Sequence, residues 1–264
     1  MLWRQLMSNL IQEVISPGLL KITLNRPEAF NSLSEAVIKE LHGTLQEVSG
    51  DPTIRVIILA AKGKAFCAGH DLKEMMQDPA EHYYQTLFKK CSEMMLTVQA
   101  MPQPVIAQVQ GIATAAGCQL VAMCDLAVAS ENAKFAVSGI NLGLFCSTPG
   151  VAVSRNMLRK QALEMLLTGE FLTAHEAKER GLVNRVVPAE QLETETMALG
   201  KTILSKPAEA VRLGKQLFYR QIEQPIREAY SDAGSVMACN MMDPDAQEGV
   251  QAFIDKRKPA WAVS

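Results

Sequence analysis

The sequence predicts an α/β fold in which strands and helices alternate over about the first 190 residues and helices fill the rest. Two runs carry that reading, Val56–Ala60 (VIILA) and Val105–Val109 (VIAQV). The first is a continuous apolar stretch of strand length, as expected of a strand buried on both faces, the second reads as another buried strand, and each leads through small residues into a helical pattern. The third observation is the chain beyond Ala189, where the pattern is helical throughout and is punctuated at Pro207, Pro225 and Pro244. A core over residues 1–190 and a helical region over 191–264 are expected, and no linker is long enough to make them independent domains.

The elements follow in order. Leu10–Ile15 and Leu19–Leu24 alternate apolar and polar residues around Ser16-Pro17-Gly18, a hairpin signal. Ser32 with Glu35 has capping-box spacing and predicts a helix with Leu33, Val37, Leu41, Leu45 and Val48 on one face, ending near Gly50. After the first buried strand, a loop over Ala61–His70 leads into a short helix that Asp71 is suited to cap. A longer helix over Glu81–Ala100 is stopped by Pro102 and Pro104. After the second buried strand come a small-residue turn, Gly111–Ala116, and a helix, Gly117–Met123. Short strands are expected at Leu126–Ala129 and Phe135–Val137, then a loop over Ser138–Gly150. Thr173 with Glu176 is a second capping box, closed by Gly181, and Val183–Val187 reads as the last strand.

Composition narrows the function classes. Apolar residues make up 48% of the 264 and charged residues 20%, which permits a large core and argues against disorder. The net charge of −2 supplies no basic field for nucleic acid. No apolar run approaches the roughly 18 residues of a membrane span. The six cysteines are scattered, Cys118 and Cys124 stand too far apart for a CxxC motif, and the chain has four histidines, so no metal site is expected. Reduced thiols in a reducing compartment follow. The N-terminal MLWRQLMSNLIQEV shows neither a signal-peptide pattern nor the Arg- and Ser-rich bias of a transit peptide, and Met7 is an alternative start. A cytoplasmic protein is expected, with the mitochondrial matrix as the alternative where a transit peptide has been removed.

Two segments carry chemistry. In Ala65–Leu72 (AFCAGHDL), Gly69 permits a tight turn. In Gly111–Cys118 (GIATAAGC), small side chains let a ligand approach the backbone beside the positive end of a helix dipole. Two such segments can aim N–H donors at one developing oxyanion, each donor contributing about 3–4 kcal/mol.

In this order and spacing the residues resemble the enoyl-CoA hydratase/isomerase (crotonase) superfamily along nearly the whole chain. The matching stretches are Leu24-Asn25-Arg26-Pro27, Ala65–Lys73, Pro104–Asp125, Leu167-Thr168-Gly169, Ala177–Val187 and Gln247–Lys258, with Leu142–Val151 (LGLFCSTPGV) most similar to one branch of it. The resemblance implies a spiral of strand–strand–helix turns with a C-terminal helical trimerisation region, giving homotrimers or hexamers. It implies an acyl-coenzyme A ligand, coenzyme A being part of the substrate and no separate cofactor being needed. It puts the oxyanion hole on the backbone N–H groups of His70 and Ala116. The coenzyme A contacts fall at Ala29, Ala68, His70, Asp71, Leu72 and Lys73, and on Phe253 and Lys256 of the last helix, which in many relatives reach a neighbouring subunit. Glu28 departs from the pattern, standing where relatives often carry lysine.

The larger departure concerns the two glutamates with which hydratases of this family hold the attacking water. They fall at Gln119 and Gly139. A glutamine amide does not take a proton at neutral pH and glycine supplies no group at all, whereas general acid–base catalysis is worth roughly 10² to 10⁴. The departure counts against ordinary hydration. Substitutes to weigh are the His70 imidazole and the loop residues Asn141, Cys146, Ser147 and Thr148, each of which is equally at home in packing or in a polar loop. Met75, Met76, Met94 and Met95 line either an acyl pocket or the core. Two readings follow: an enzyme on acyl-CoA thioesters, which the intact AFCAGHD segment favours, or a non-catalytic acyl-CoA-binding protein.

Overall fold

The computed structural model describes residues 8–262; Met7 and the rest of the first half of the N-terminal stretch read above lie outside the described residues. The expected hairpin forms from β1 (Leu10–Ser16) and β2 (Leu19–Leu24), with Gly18 at φ +82° making the turn. From β2 onward the pairing is parallel, through β3 (Val56–Ala61) and β5 (Val105–Val109) to β7 (Leu126–Ser130) and β10 (Arg185–Val187). These strands make one six-stranded sheet in the order β1-β2-β3-β5-β7-β10. Both faces of its middle are covered, which is why Val56 to Ala60 are at most 2% exposed.

The interleaved strands β4 (Ala65–Cys67), β6 (Ile112–Thr114), β8 (Lys134–Ala136) and β9 (Leu172–Thr173) form a second sheet of four. The chain thus steps from one sheet to the other and back, a spiral of strand–strand–helix turns. Two expectations are corrected here. The predicted loop Ala61–His70 contains β4, and the predicted turn Gly111–Ala116 contains β6. Each is three residues long and rich in small side chains, so no alternation marks it; lateral pairing such as Cys67 with Ala113 makes it a strand.

The first helix, α1 (Glu35–Ser49), corrects a third. Its N-cap is Ser34, whose hydroxyl accepts from Val37 N at 3.3 Å, while Ser32 donates to Asp71 Oδ2 at 3.2 Å. Leu33 therefore precedes the helix, although it is buried as expected. Asp71 caps α2 (Leu72–Met75), and α3 (Glu81–Ala100) ends before Pro102. α4 (Ala116–Met123) follows β6. The predicted loop Ser138–Gly150 is more structured than the sequence suggested: a 3-10 turn spans Ser138–Leu142 and α5 (Ser147–Asn156) begins inside it. Then come α6 (Arg159–Thr168) and α7 (Ala174–Glu179), which carries the complete Thr173–Glu176 capping box.

The helical tail is α8 (Leu192–Leu204), α9 (Ala208–Gln221), α10 (Ile226–Met241) and α11 (Pro244–Ile254). Pro207 and Pro225 are the N-cap residues of α9 and α10, and Pro244 opens α11, each where a missing N–H does no harm. Leu192 of α8 is buried with Leu19, Val56, Ile58, Ile106 and Val128 of the large sheet. Beyond α9 the tail leaves large apolar side chains uncovered, among them Ile226, Tyr230, Met237 and Phe253. No helix among the described residues is long and apolar enough to cross a membrane.

Candidate active site

The two chemistry-bearing segments lie against each other at the C-terminal ends of β3 and β5. β4 pairs with β6, so Ala65–His70 runs alongside the strand that ends at Thr114. Contact is at backbone distance: a Cβ added to Gly117 would fall 2.1 Å from the Cys67 carbonyl oxygen. One added to Gly69 would fall 3.4 Å from Ala116 N and 2.9 Å from the Ala115 Cβ. Glycine is required at both places for the segments to close on each other.

Peptide geometry then aims the two N–H groups. The Gly69 carbonyl accepts from Leu33 N at 2.8 Å, and in a trans peptide the following N–H points the opposite way. The His70 N–H accordingly faces away from Leu33. The Ala115 carbonyl accepts from Gln119 N at 3.0 Å, the first turn of α4, so the Ala116 N–H faces out of the helix start. Neither N–H has a protein acceptor among the described residues. Ala115 sits at φ +50°, ψ −121°, a conformation that L-residues rarely hold, and this twist is what turns the Ala116 N–H outward.

The side chains around this point are short of charge. The half-buried His70 ring stands edge-on to Phe88, centroids 5.4 Å apart, and neither ring nitrogen has a hydrogen bond of ordinary geometry. Burial pushes its pKa down to about 4, with the Leu33 main chain pulling weakly the other way, so the imidazole is neutral at physiological pH. Gln119 is 4% exposed and its Oε1 is buried without a partner. At Gly139 the expected second acid has no room: a Cβ there would meet the Leu144 carbonyl oxygen at 2.6 Å and Cys146 Sγ at 2.7 Å. Cys146 Sγ instead accepts from Gly139 N at 3.3 Å, and burial raises the thiol's pKa.

Of the other loop candidates, Asn141 donates to the Gly169 carbonyl at 3.4 Å and Ser147 to that of Phe145 at 3.4 Å, both on the exposed side of the loop; Thr148 is half-buried. Sequence reading missed Thr114 and Ser138, whose hydroxyls meet at 2.8 Å and tie the end of β6 to the start of that loop. No motif marks the pair, because twenty-four residues separate them. Met94 and Met95 are at most 1% exposed in the core; Met75 is also buried and Met76 is exposed.

The expected coenzyme A contacts divide. Ala29 ends the 3-10 turn Pro27–Ala29, and the next carbonyl, of Phe30, accepts from Ala68 N at 3.1 Å, so these two stretches are neighbours. Asp71 is engaged by Arg26 Nη2 at 3.3 Å, by Ser32 and by the α2 N-terminus; together these hold its carboxyl below the usual range although burial opposes them. Lys73, Arg26 and Asp71 line an open groove of about 380 Å³ next to exposed Leu72. Phe253, 85% exposed, and Lys256 stand at the end of α11, and no hydrogen bond or ring contact among the described residues joins them to the two segments. Among the described residues no group of three His, Cys, Asp or Glu is placed to hold a metal.

Against known proteins, the family model described as enoyl-CoA hydratase/isomerase matches residues 14–263. The chain is 48% identical over 245 residues to enoyl-CoA hydratase domain-containing protein 3, mitochondrial, of Mus musculus, covering 93% of this chain and 82% of that protein. Among solved structures it is similar to an enoyl-CoA hydratase of Mycobacterium smegmatis, with 59% identity, a TM-score of 0.95 and coverage of 96% and 99% of the two chains. It is likewise similar to the human enoyl-coenzyme A hydratase domain-containing protein 3, with 44% identity, a TM-score of 0.92 and coverage of 96% and 100%.

Proposed function

The chain belongs to the enoyl-CoA hydratase/isomerase family, and on that premise we propose that it binds an acyl-coenzyme A and polarises the thioester carbonyl with the N–H groups of His70 and Ala116. One observation carries the reading: two outward-facing, unpartnered N–H groups on segments whose backbones touch, with both peptide directions held by Leu33 and Gln119. Preorganised donors of this kind stabilise an enolate or tetrahedral oxyanion without reorganising during reaction. The coenzyme A lies along Ala29 and the Ala68–Lys73 stretch in this reading, and Phe253 and Lys256 act in a trimer or hexamer.

The protons are the distinctive part. With His70 neutral, Gln119 an amide and Gly139 without space for a side chain, neither expected position supplies a carboxylate to activate water. The chemistry that fits is a lyase or isomerase step needing carbonyl polarisation, with water or the substrate itself moving the proton, rather than hydration at family rates. The filled space at Gly139 favours a second reading, a non-catalytic acyl-CoA binder. A panel of enoyl-, malonyl- and acyl-CoA thioesters, assayed for turnover with binding measured in parallel, separates the two. Binding without turnover on any member leaves the second reading, and no binding at all refutes both. The buried, unbridged thiols support a reducing compartment, the cytoplasm or, as in the mouse relative's name, the mitochondrion.

A further inference from the structure

The proposed site polarises a carbonyl but brings no base, and it contains one polar side chain that the proposed function leaves idle. Gln119 stands one turn into α4, three residues after Ala116. It is 4% exposed. Its Oε1 is sealed in without a partner, whereas Nε2, the donor at the other end of the amide, is not sealed in and has no acceptor among the described residues. A buried polar group that the protein leaves unmatched calls for a partner from elsewhere.

Helix geometry says where that partner lies. Residues three apart share a helix face, about 5–6 Å apart at Cβ, and their side chains lean toward the N-terminus. The Gln119 amide therefore reaches back toward the start of α4, where the Ala116 N–H and the positive end of the helix dipole face out. A ligand whose carbonyl oxygen sits on the His70 and Ala116 N–H groups would bring the next few atoms of its acyl chain within reach of Nε2.

We infer, resting on the acyl-CoA reading above, that the preferred ligand is a 3-oxoacyl-CoA, its thioester oxygen on the His70 and Ala116 N–H groups and its C3 carbonyl oxygen accepting from Gln119 Nε2. This class also suits a site without a base. A carbon between two carbonyls gives up its proton far more readily than one beside a thioester alone, so solvent water or hydroxide suffices to take it. The C2–H bond breaks, the proton leaves to that water, and the electron pair spreads over C2 and both oxygens. Each oxygen then has a preorganised donor, and the start of α4 favours the negative charge. A saturated acyl chain would leave the Gln119 donor unmatched, and a 3-hydroxyl would meet it without giving a delocalised anion. A malonyl carboxylate would set a full charge against a single amide donor beside a neutral imidazole.

Titration of the intact protein with acetoacetyl-CoA tests this, with butyryl-CoA and 3-hydroxybutyryl-CoA as comparisons. Calorimetry reads affinity, and near-ultraviolet absorption reads the conjugated enolate, which the neutral diketo form lacks. Acetoacetyl-CoA should bind at least about tenfold tighter than either comparison, with the enolate band appearing in the complex. Gln119→Met keeps the length of the side chain and removes the amide. It should bring acetoacetyl-CoA to within about twofold of butyryl-CoA and abolish the band, a melting curve showing that the variant is folded. The comparison of ligands on the unmodified protein decides the matter even where the variant does not fold. Butyryl-CoA binding with acetoacetyl-CoA no tighter overturns this inference and leaves the acyl-CoA reading standing, whereas no binding of any of the three overturns both. A complex without the band, or a preference that survives in folded Gln119→Met, also overturns it.

Discussion

Replacing Lys215 by methionine should destabilise the protein by about 3–5 kcal/mol, because it strands a buried carboxylate. Lys215 Nζ, from α9, donates to the carbonyls of Val98 and Gln103 at 2.9 and 2.8 Å and to Asp125 Oδ2 at 2.7 Å. The side chains of the pair are 5% and 13% exposed. The same Oδ2 accepts from Val105 N at 2.6 Å, so the pair links the tail to the turn after α3 and to the starts of β5 and β7. Burial is the largest influence on each partner, raising Asp125 and lowering Lys215, and their mutual attraction pulls both part of the way back. Without Lys215 the Asp125 carboxyl rises further. A group whose native pKa lies above its unfolded value adds stability at low pH and loses it as pH rises through the native value. The deficit of the variant should therefore be smallest in acid and complete above neutrality. At roughly 2–4 °C per kcal/mol, the melting temperature should fall by about 6–20 °C near pH 8. Urea unfolding at about pH 5 and about pH 8 measures both effects. Lys215→Met with Asp125→Leu should cost less than the two single changes summed. A single-variant loss under about 1 kcal/mol, a deficit independent of pH, or strict additivity would refute the reasoning.

Three further outcomes are expected. Because the native His70 pKa lies near 4, below the ordinary 6.5, its neutral burial contributes on the order of 3 kcal/mol that is fully present above about pH 6.5 and lost as pH falls toward 4. His70→Phe should flatten that limb of the stability profile, and an unchanged profile would show that the ring is solvated. Ala115→Gly removes the cost of φ +50° and should be neutral or stabilising by up to about 1 kcal/mol, whereas Gly69→Ala, at φ +93° with Ala115 Cβ 2.9 Å away, should cost about 2 kcal/mol or more and weaken butyryl-CoA binding; thermal melts and titrations of both variants check this. Gly139→Glu, alone or with Gln119→Glu, should lower the melting temperature and yield no hydratase activity on crotonyl-CoA, because the Leu144 carbonyl and Cys146 Sγ occupy the space a side chain needs. Crotonyl-CoA hydration at family rates in the double variant would show that the loop moves aside readily.

Much of the site was legible because it is made of backbone. Gly69, Gly117 and the small residues between Gly111 and Cys118 announce a close approach of chain to chain, and Gln119 and Gly139 stand where the resemblance leads one to expect acids. The hydroxyl pair Thr114–Ser138 and the filled space at Gly139 were not legible, since both depend on where a loop twenty residues further on comes to rest. The same holds for His70: the residue type suggested a group titrating near neutrality, and its enclosure beside Phe88 removes that charge.

Sequence alone determined the alternation of buried strands with helices, the proline-bounded tail, the Thr173–Glu176 cap and the family, because these are written in local periodicity and in contiguous motifs. Tertiary structure alone decided the second sheet, whose three-residue strands exist only by pairing with one another, and the move of the first helix cap from Ser32 to Ser34. It also decided the Lys215–Asp125 link and the orientation of the His70 and Ala116 N–H groups. Each of these is a relation between residues distant in the chain, set by packing after the chain has folded back on itself, and no local pattern encodes it.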